Sequence, residues 1–201
     1  DAGTPGISDP GEDLVRICYE QGIEVTSLPG AAACITALTL SGLPTRRFSF
    51  EAFLPKEKKE RAAVLEELKN DTRTLIVYEA PHHLLGTLKE LQNALGDRRL
   101  TVCRELTKKF ETAFQTTFSE AIRYYEEQGV RGECVLVIEG RSREELVQEA
   151  QQSWEAISVE EHMEHYLSTG MDRKSAMKQV AKDRGVGKRE IYQMLLNAEN
   201  Q

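Results

Sequence analysis

The sequence predicts an α/β protein with a mixed sheet, followed by a small helical segment. Three observations carry the prediction. Between Thr45 and Gly140, short apolar or β-branched runs alternate with helical patterns. Ahead of them, a strand-like stretch, the turn Pro29-Gly30 and a small apolar helix follow one another, the order in which α/β proteins present ligand loops. Beyond Gly140 no strand pattern remains. The expected division is residues 1–44 as the C-terminal part of a first α/β domain, 45–140 as a second α/β domain, and 141–201 as a helical segment resembling a helix-turn-helix.

Each element has its own signal. Glu12 to Gln21 places Leu14, Ile17 and Cys18 at helical spacing, and Gly22 stops the helix. Ile23 to Leu28 alternates like a short strand, and Ala31 to Leu40 reads as a helix packed close to other backbone. Strands are expected over Arg47–Phe53, Thr72–Tyr78, Arg99–Arg104, Glu111–Thr117 and Glu133–Glu139. Helices are expected over Glu60–Lys69, from Pro81 to Leu95 before Gly96, and over Ser119–Gln128 with Ser119 as cap. Four short helices follow: Ser142–Trp154, Val159–Leu167, Arg173–Arg184 and Lys188–Leu196.

With 201 residues, 40% hydrophobic and 29% charged, the composition is that of a soluble globular protein. No apolar run is long enough to span a bilayer, so no membrane partner is expected, and the expected location is cytoplasmic. Cys18, Cys34, Cys103 and Cys134 are widely spaced and read as reduced core thiols; no ligand cluster suggests a metal. A net charge of -7 argues against a uniformly basic nucleic-acid binder. The charge is not spread evenly: residues 170–192 hold seven Lys/Arg against three acids, a net of +4, which makes a local basic face.

The stretch Asp1-Ala-Gly-Thr-Pro-Gly-Ile-Ser-Asp-Pro-Gly11 crowds glycine and proline into a shaped loop. It has neither the lysine of a phosphate-binding P-loop nor the spacing of a dinucleotide fingerprint. Together with Pro29-Gly-Ala-Ala-Ala33 it can line a cleft for a flat ligand. Glu79, at a strand end before Pro81, reads either as an ordinary helix start or as a site carboxylate beside His82 and His83. Arg104, Glu105, Lys108 and Lys109 read either as surface ion pairs or as an anion-holding set. His162, His165 and Trp154 read as packing residues.

These motifs, taken in order, resemble the tetrapyrrole methylase superfamily in its ribosomal RNA branch. The resemblance rests on Asp1–Gly11, Pro29-Gly30-Ala31, Ala37-Leu38, Ser41-Gly-Leu-Pro44 and Phe50-Glu-Ala-Phe-Leu-Pro55. It continues through Tyr78-Glu-Ala-Pro-His82, Arg104-Glu-Leu-Thr-Lys108 and Gly132-Glu-Cys-Val-Leu-Val-Ile-Glu-Gly140. It covers about Asp1 to Gly140, and the helical tail resembles the branch more loosely.

The resemblance implies a class III methyltransferase fold that holds S-adenosylmethionine in a cleft between two domains, usually as a homodimer. It implies methyl transfer to a cytidine ribose 2'-hydroxyl in 16S rRNA of the small ribosomal subunit. Implied cofactor contacts are Asp1, Gly3, Thr4, Ala32, Ala33, Tyr78, Glu79, Glu133 and Cys134. Many relatives have Ser at the Ala32-Ala33 pair, and often Arg at His83. Implied catalytic groups are Glu79 or His82 as base, Arg104 and Lys108 as phosphate or oxyanion contacts, with Glu105 beside them. The family's first strands would precede Asp1, so this chain is expected to bind S-adenosylmethionine weakly or not at all. The rivals are a corrin or porphyrin methyltransferase and a non-catalytic RNA-binding module.

Overall fold

The computed structural model describes residues 3–199. The chain forms two compact units, residues 1–141 and 142–201.

In the first unit the described elements are α1 (Glu12–Glu20), α2 (Ala33–Ser41), β1 (Phe48–Phe53), α3 (Lys58–Leu68), β2 (Thr74–Glu79) and α4 (Pro81–Leu95). They are followed by β3 (Arg99–Arg104), β4 (Thr112–Thr117), α5 (Phe118–Gln128) and β5 (Cys134–Ile138). The five strands form one sheet in the order β1-β2-β5-β3-β4. β1 and β2 are parallel, joined through α3, and the remaining pairings are antiparallel, so the sheet is mixed.

Period-two alternation divides β2 between two cores. Leu75 and Val77 join Leu84, Leu88, Leu91, Phe118 and Leu136 under α4 and α5. Ile76 and Tyr78 meet Cys34, Ala37 and Leu38 of α2 on the other face. The Ala31–Leu40 pattern is small because α2 lies directly on the sheet, with Ala37 fully buried. Its C-terminus is closed by the sheet: Thr101 Oγ1 and Gln115 Nε2 both donate to the Ser41 carbonyl, at 3.0 and 2.8 Å. Gly42 turns the chain there with φ 68°.

Two expectations are corrected. Ile23–Leu28 is not a strand: among the described residues it has no ladder partner, and Ile23 and Leu28 are 55% and 83% exposed. Alternation alone does not make a strand without a neighbour to hydrogen-bond. The cap of α5 is Thr117, whose hydroxyl accepts from the Glu120 N–H, and not Ser119. The Ser119 N–H instead donates to Asp97 Oδ1 at 2.7 Å.

The second unit holds α6 (Arg143–Glu155), α7 (Val159–Ser168), α8 (Arg173–Asp183) and α9 (Lys188–Glu199). Met163, Ala176, Val180 and Ile191 form its core. Ser158 opens α7 with a capping box, and Asp172 caps α8. Trp154 is a packing residue, stacked on His162 at 3.8 Å and 5°.

His162 is fully buried, and its Nδ1 accepts from Arg184 Nε at 3.1 Å. Its proton therefore sits on Nε2, which lies 3.4 Å from Asp183 Oδ2. Burial, and then the Arg184 charge, hold its pKa below 6.5. The unfolded chain thus takes up this proton first as pH falls, so stability declines from about pH 6.5 downward. We expect the melting temperature followed by Trp154 fluorescence to drop between pH 7.5 and 5.5, and the drop to flatten in His162→Gln.

Candidate functional site

The carboxyl ends of β1, β2 and β3 and the amino end of β5 meet at one sheet edge, because β5 runs antiparallel to β2 and β3. A cleft of about 230 Å³ opens there. Its lining includes the sequence-predicted Ala33, Tyr78, Glu79, Glu105, Lys108, Glu133 and Cys134. These come from four separate stretches of chain, brought together by strand order.

The two small-residue loops also meet. The Thr4 N–H and hydroxyl both donate to the Ala31 carbonyl, at 2.8 and 3.2 Å. Gly3 sits at φ 116°, where a Cβ would lie 3.2 Å from that same oxygen. Gly3, Thr4 and Ala32 thus support the cleft wall, while Ala33 reaches the lining. Asp1 lies outside the described residues.

α2 has Ala32 at its cap position, which offers no side-chain acceptor. Tyr78 supplies one from the sheet: its hydroxyl accepts from the Cys34 N–H at 2.9 Å. Burial pushes the Tyr78 phenol up to about 12, against the lowering effect of the Cys34 N–H, so it stays protonated. Phe50 and Phe53 hold the ring edge-on at 4.9 and 5.7 Å.

Glu79 is a carboxylate only 6% exposed. One oxygen accepts from the Ala80 N–H at 2.8 Å and the other from the Thr87 hydroxyl at 2.5 Å. Thr87 in turn accepts from Arg61 at 2.7 Å, so a guanidinium supports the buried charge through one hydroxyl.

Across the cleft, the Glu105 N–H donates to the Glu133 carbonyl and the Glu133 N–H to Glu105 Oε1, both at 3.0 Å. The Lys108 ammonium sits 3.1 Å from each carboxylate. It holds the Glu105 carboxyl below the usual range, and Glu133 and Glu105 raise the Lys108 pKa. Gly132 makes this closure possible, since a Cβ there would lie 2.4 Å from Glu105 Cγ. Lys108 is therefore a bridged cation between two acids.

Arg104 is placed differently from its sequence-based expectation. Its guanidinium donates to Thr112 Oγ1 and to the carbonyls of Arg131 and Phe110, at 3.2, 3.2 and 3.4 Å. It braces the loop after β3 and does not line the cleft. His82 also lies outside the lining, exposed on the first turn of α4 beside His83.

Cys103 and Cys134 face the cleft, and burial raises their thiols to about 11 and about 12. Both are neutral at physiological pH and do not act as nucleophiles. We expect both to resist iodoacetamide at pH 8 in the folded chain and to label on denaturation, read by peptide mass mapping.

Sequence reasoning missed Ser8, Phe53, Cys103, Leu106 and Val135 in the lining, and Thr87 and Arg61 behind Glu79. Ser8, Phe53, Leu106 and Val135 lie inside motifs already singled out. Thr87 had a faint signal, a hydroxyl within the inward Leu84, Leu88, Leu91 stripe of α4.

The fold is that of an α/β protein with a mixed sheet and a cleft at its strand ends, lined by three glutamates and two aromatic rings among others. The profile of the Tetrapyrrole (Corrin/Porphyrin) Methylases matches residues 1–122, and the chain belongs to that family. It is 47% identical over 192 residues to the Ribosomal RNA small subunit methyltransferase I of Halalkalibacterium halodurans, covering 96% of this chain and 66% of that protein. The same-named protein of Bacillus subtilis is 48% identical, with 96% and 65% covered, and that of Synechocystis 44%, with 99% and 70% covered. The chain thus spans about two thirds of the length of these curated relatives. Among solved structures, cobalt precorrin-4 methyltransferase has a similar fold, with TM-score 0.52 at 17% identity, over 68% of this chain and 61% of that one. No described helix is long and apolar enough to cross a membrane.

Proposed function

We propose that this protein is an S-adenosylmethionine-dependent methyltransferase that modifies a cytidine ribose 2'-oxygen in 16S rRNA. The observation that carries the reading is the convergence of Ala33, Tyr78, Glu79, Glu105, Lys108, Glu133 and Cys134 on one cleft. The names of relatives 44–48% identical over nearly the whole chain support ribosomal RNA as substrate. A cytoplasmic homodimer acting on small-subunit particles belongs to the same reading.

The residues present fit the methyl donor. Tyr78, Phe53 and Leu106 offer apolar surface to a purine, Ala33 leaves room beside α2, and three carboxylates against one lysine favour a cation. Bound there, S-adenosylmethionine would supply a methyl group on a positively charged sulfur. The chain's own contribution is then orientation and proton removal. Each Glu79 oxygen accepts one hydrogen bond and keeps a second lone pair, able to take the proton of a 2'-hydroxyl. Glu79 is preferred to His82 as base because it lines the cleft. Lys108 would meet a phosphate or developing oxyanion by exchanging one of the two carboxylates it bridges.

Tritium transfer from labelled S-adenosylmethionine to small-subunit particles tests the reading, using residues 1–201 and a chain extended to the length of its relatives. A methylated ribose at one cytidine supports it. A methylated corrin or porphyrin, or RNA binding without transfer by the extended chain, overturns it.

A further inference from the structure

The loop between β3 and β4 carries a feature that the cleft chemistry does not use. Phe110 stands 65% exposed at its tip, with the Lys109 ammonium 5.5 Å from the ring centre. Among the described residues Lys109 meets no carboxylate within ion-pair distance. An exposed aromatic on a mobile loop would mean little, but this loop is held. Glu105 and Thr107 take left-handed φ values of 51° and 64°, an uncommon and strained choice for non-glycine residues. The Thr107 N–H donates to Glu111 Oε2 at 2.5 Å, and the Lys108 N–H to the Glu105 carbonyl at 2.9 Å. Arg104 grips the Phe110 carbonyl itself and, with the same guanidinium, the carbonyl of exposed Arg131. Four residues earlier the same loop lines the cleft through Leu106, and two residues earlier through Lys108.

We infer that this tip is a stacking platform for single-stranded RNA: a base flanking the target nucleotide lies on Phe110, and its phosphate meets Lys109 and Arg131. The inference rests on the RNA reading proposed above and names the residues that hold that substrate outside the cleft. The chemistry favours RNA over a protein partner. A fixed aromatic face beside the Lys109 ammonium matches the stacking and phosphate contacts by which single strands are held, whereas a protein partner would be expected to bury a broader apolar patch.

The test is fluorescence anisotropy of the whole chain with a fluorescein-labelled, cytidine-containing 12-nucleotide single-stranded RNA, alongside the same sequence as duplex. We expect Phe110→Ala to weaken binding to the single strand about ten-fold, Phe110→Trp to stay within about two-fold of the parent, and duplex binding to be insensitive to both. Lys109→Ala is expected to lower the slope of log affinity against log salt by about one. Circular dichroism and sedimentation of each variant accompany the titrations. Equal binding by Phe110→Ala and the parent, or failure of Phe110→Trp to restore it, overturns the inference and leaves the RNA reading standing. So does a change of oligomeric state in Phe110→Ala, which would make Phe110 a contact with a second copy. A parent chain with no affinity for the RNA overturns the inference, and methylation of a corrin or porphyrin in the tritium assay overturns the reading itself.

Discussion

Glu79→Gln is expected to slow single-turnover methyl transfer by about 10²–10⁴-fold wherever the parent transfers, the range for losing a positioned proton acceptor. The substitution keeps the size of the side chain and removes its charge. It also places an amide NH2 where Glu79 now accepts from either the Ala80 N–H or the Thr87 hydroxyl. One donor then faces another donor in a site only 6% exposed. We therefore expect an additional stability loss of about 1–3 kcal/mol, seen as a lower melting temperature. Thr87→Val separates the two effects: it removes one bond to Glu79 and the link to Arg61 while leaving the carboxylate in place. Transfer at the parent rate by Glu79→Gln would make Glu79 a structural acid and move the base elsewhere.

Gly140→Ala is expected to be the most damaging single-methyl change in the first unit. A Cβ at Gly140 would lie 2.3 Å from the Arg73 carbonyl oxygen and 2.5 Å from the Thr72 carbonyl carbon. Both obstacles are backbone, and neither can rotate away. The segment is further pinned by the Arg141 N–H donating to the Asp71 carbonyl at 2.7 Å and by Asp71 accepting from Arg73. Relief requires parting the chain just beyond β5 from the start of β2. Overpacking of this kind costs about 1–3 kcal/mol, occasionally more. Each kcal/mol corresponds to about 2–4 °C in melting temperature for a chain of this size. Gly86→Ala is the control. It lies within α4, where a Cβ meets nothing within 4 Å. That substitution should be neutral or raise stability by about 0.4–1 kcal/mol, because alanine costs less backbone entropy in a helix. Paired thermal melts decide it, and equal melting by Gly140→Ala and the parent would refute the close-approach account.

Most of the element list was legible in the sequence because its signals are local. Pro81 and Gly96 bracket α4, and β3 runs over the residues its pattern marks. The β-branched run of Thr72–Tyr78 marks a buried strand, and Thr74 to Val77 of β2 are all buried. Ile23–Leu28 shows where local signals stop: an alternating pattern yields no strand without a partner to pair with. Thr117 displaced Ser119 as a cap because the choice depends on where the last strand residue leaves the sheet, which Asp97 helps to set from another part of the chain.

The candidate site divides in the same way. The sequence by itself determined which residue types stand at the strand ends: Tyr78-Glu79 after β2, Arg104-Glu105 after β3 and Glu133-Cys134 before β5. Strand ends are set by hydrogen-bonding runs that short-range patterns record. Only the tertiary structure decided what each does there. The opposite fates of Arg104, turned onto two carbonyls, and Lys108, held between two acids at the cleft, depend on Gly132, Glu133 and Phe110 coming close in space. So does the support of Glu79 through Thr87 from Arg61, which stands 26 residues from Thr87 along the chain. Electrostatic and hydrogen-bond energies fall off with distance in space, not along the chain, so the roles of these charges are settled by packing alone.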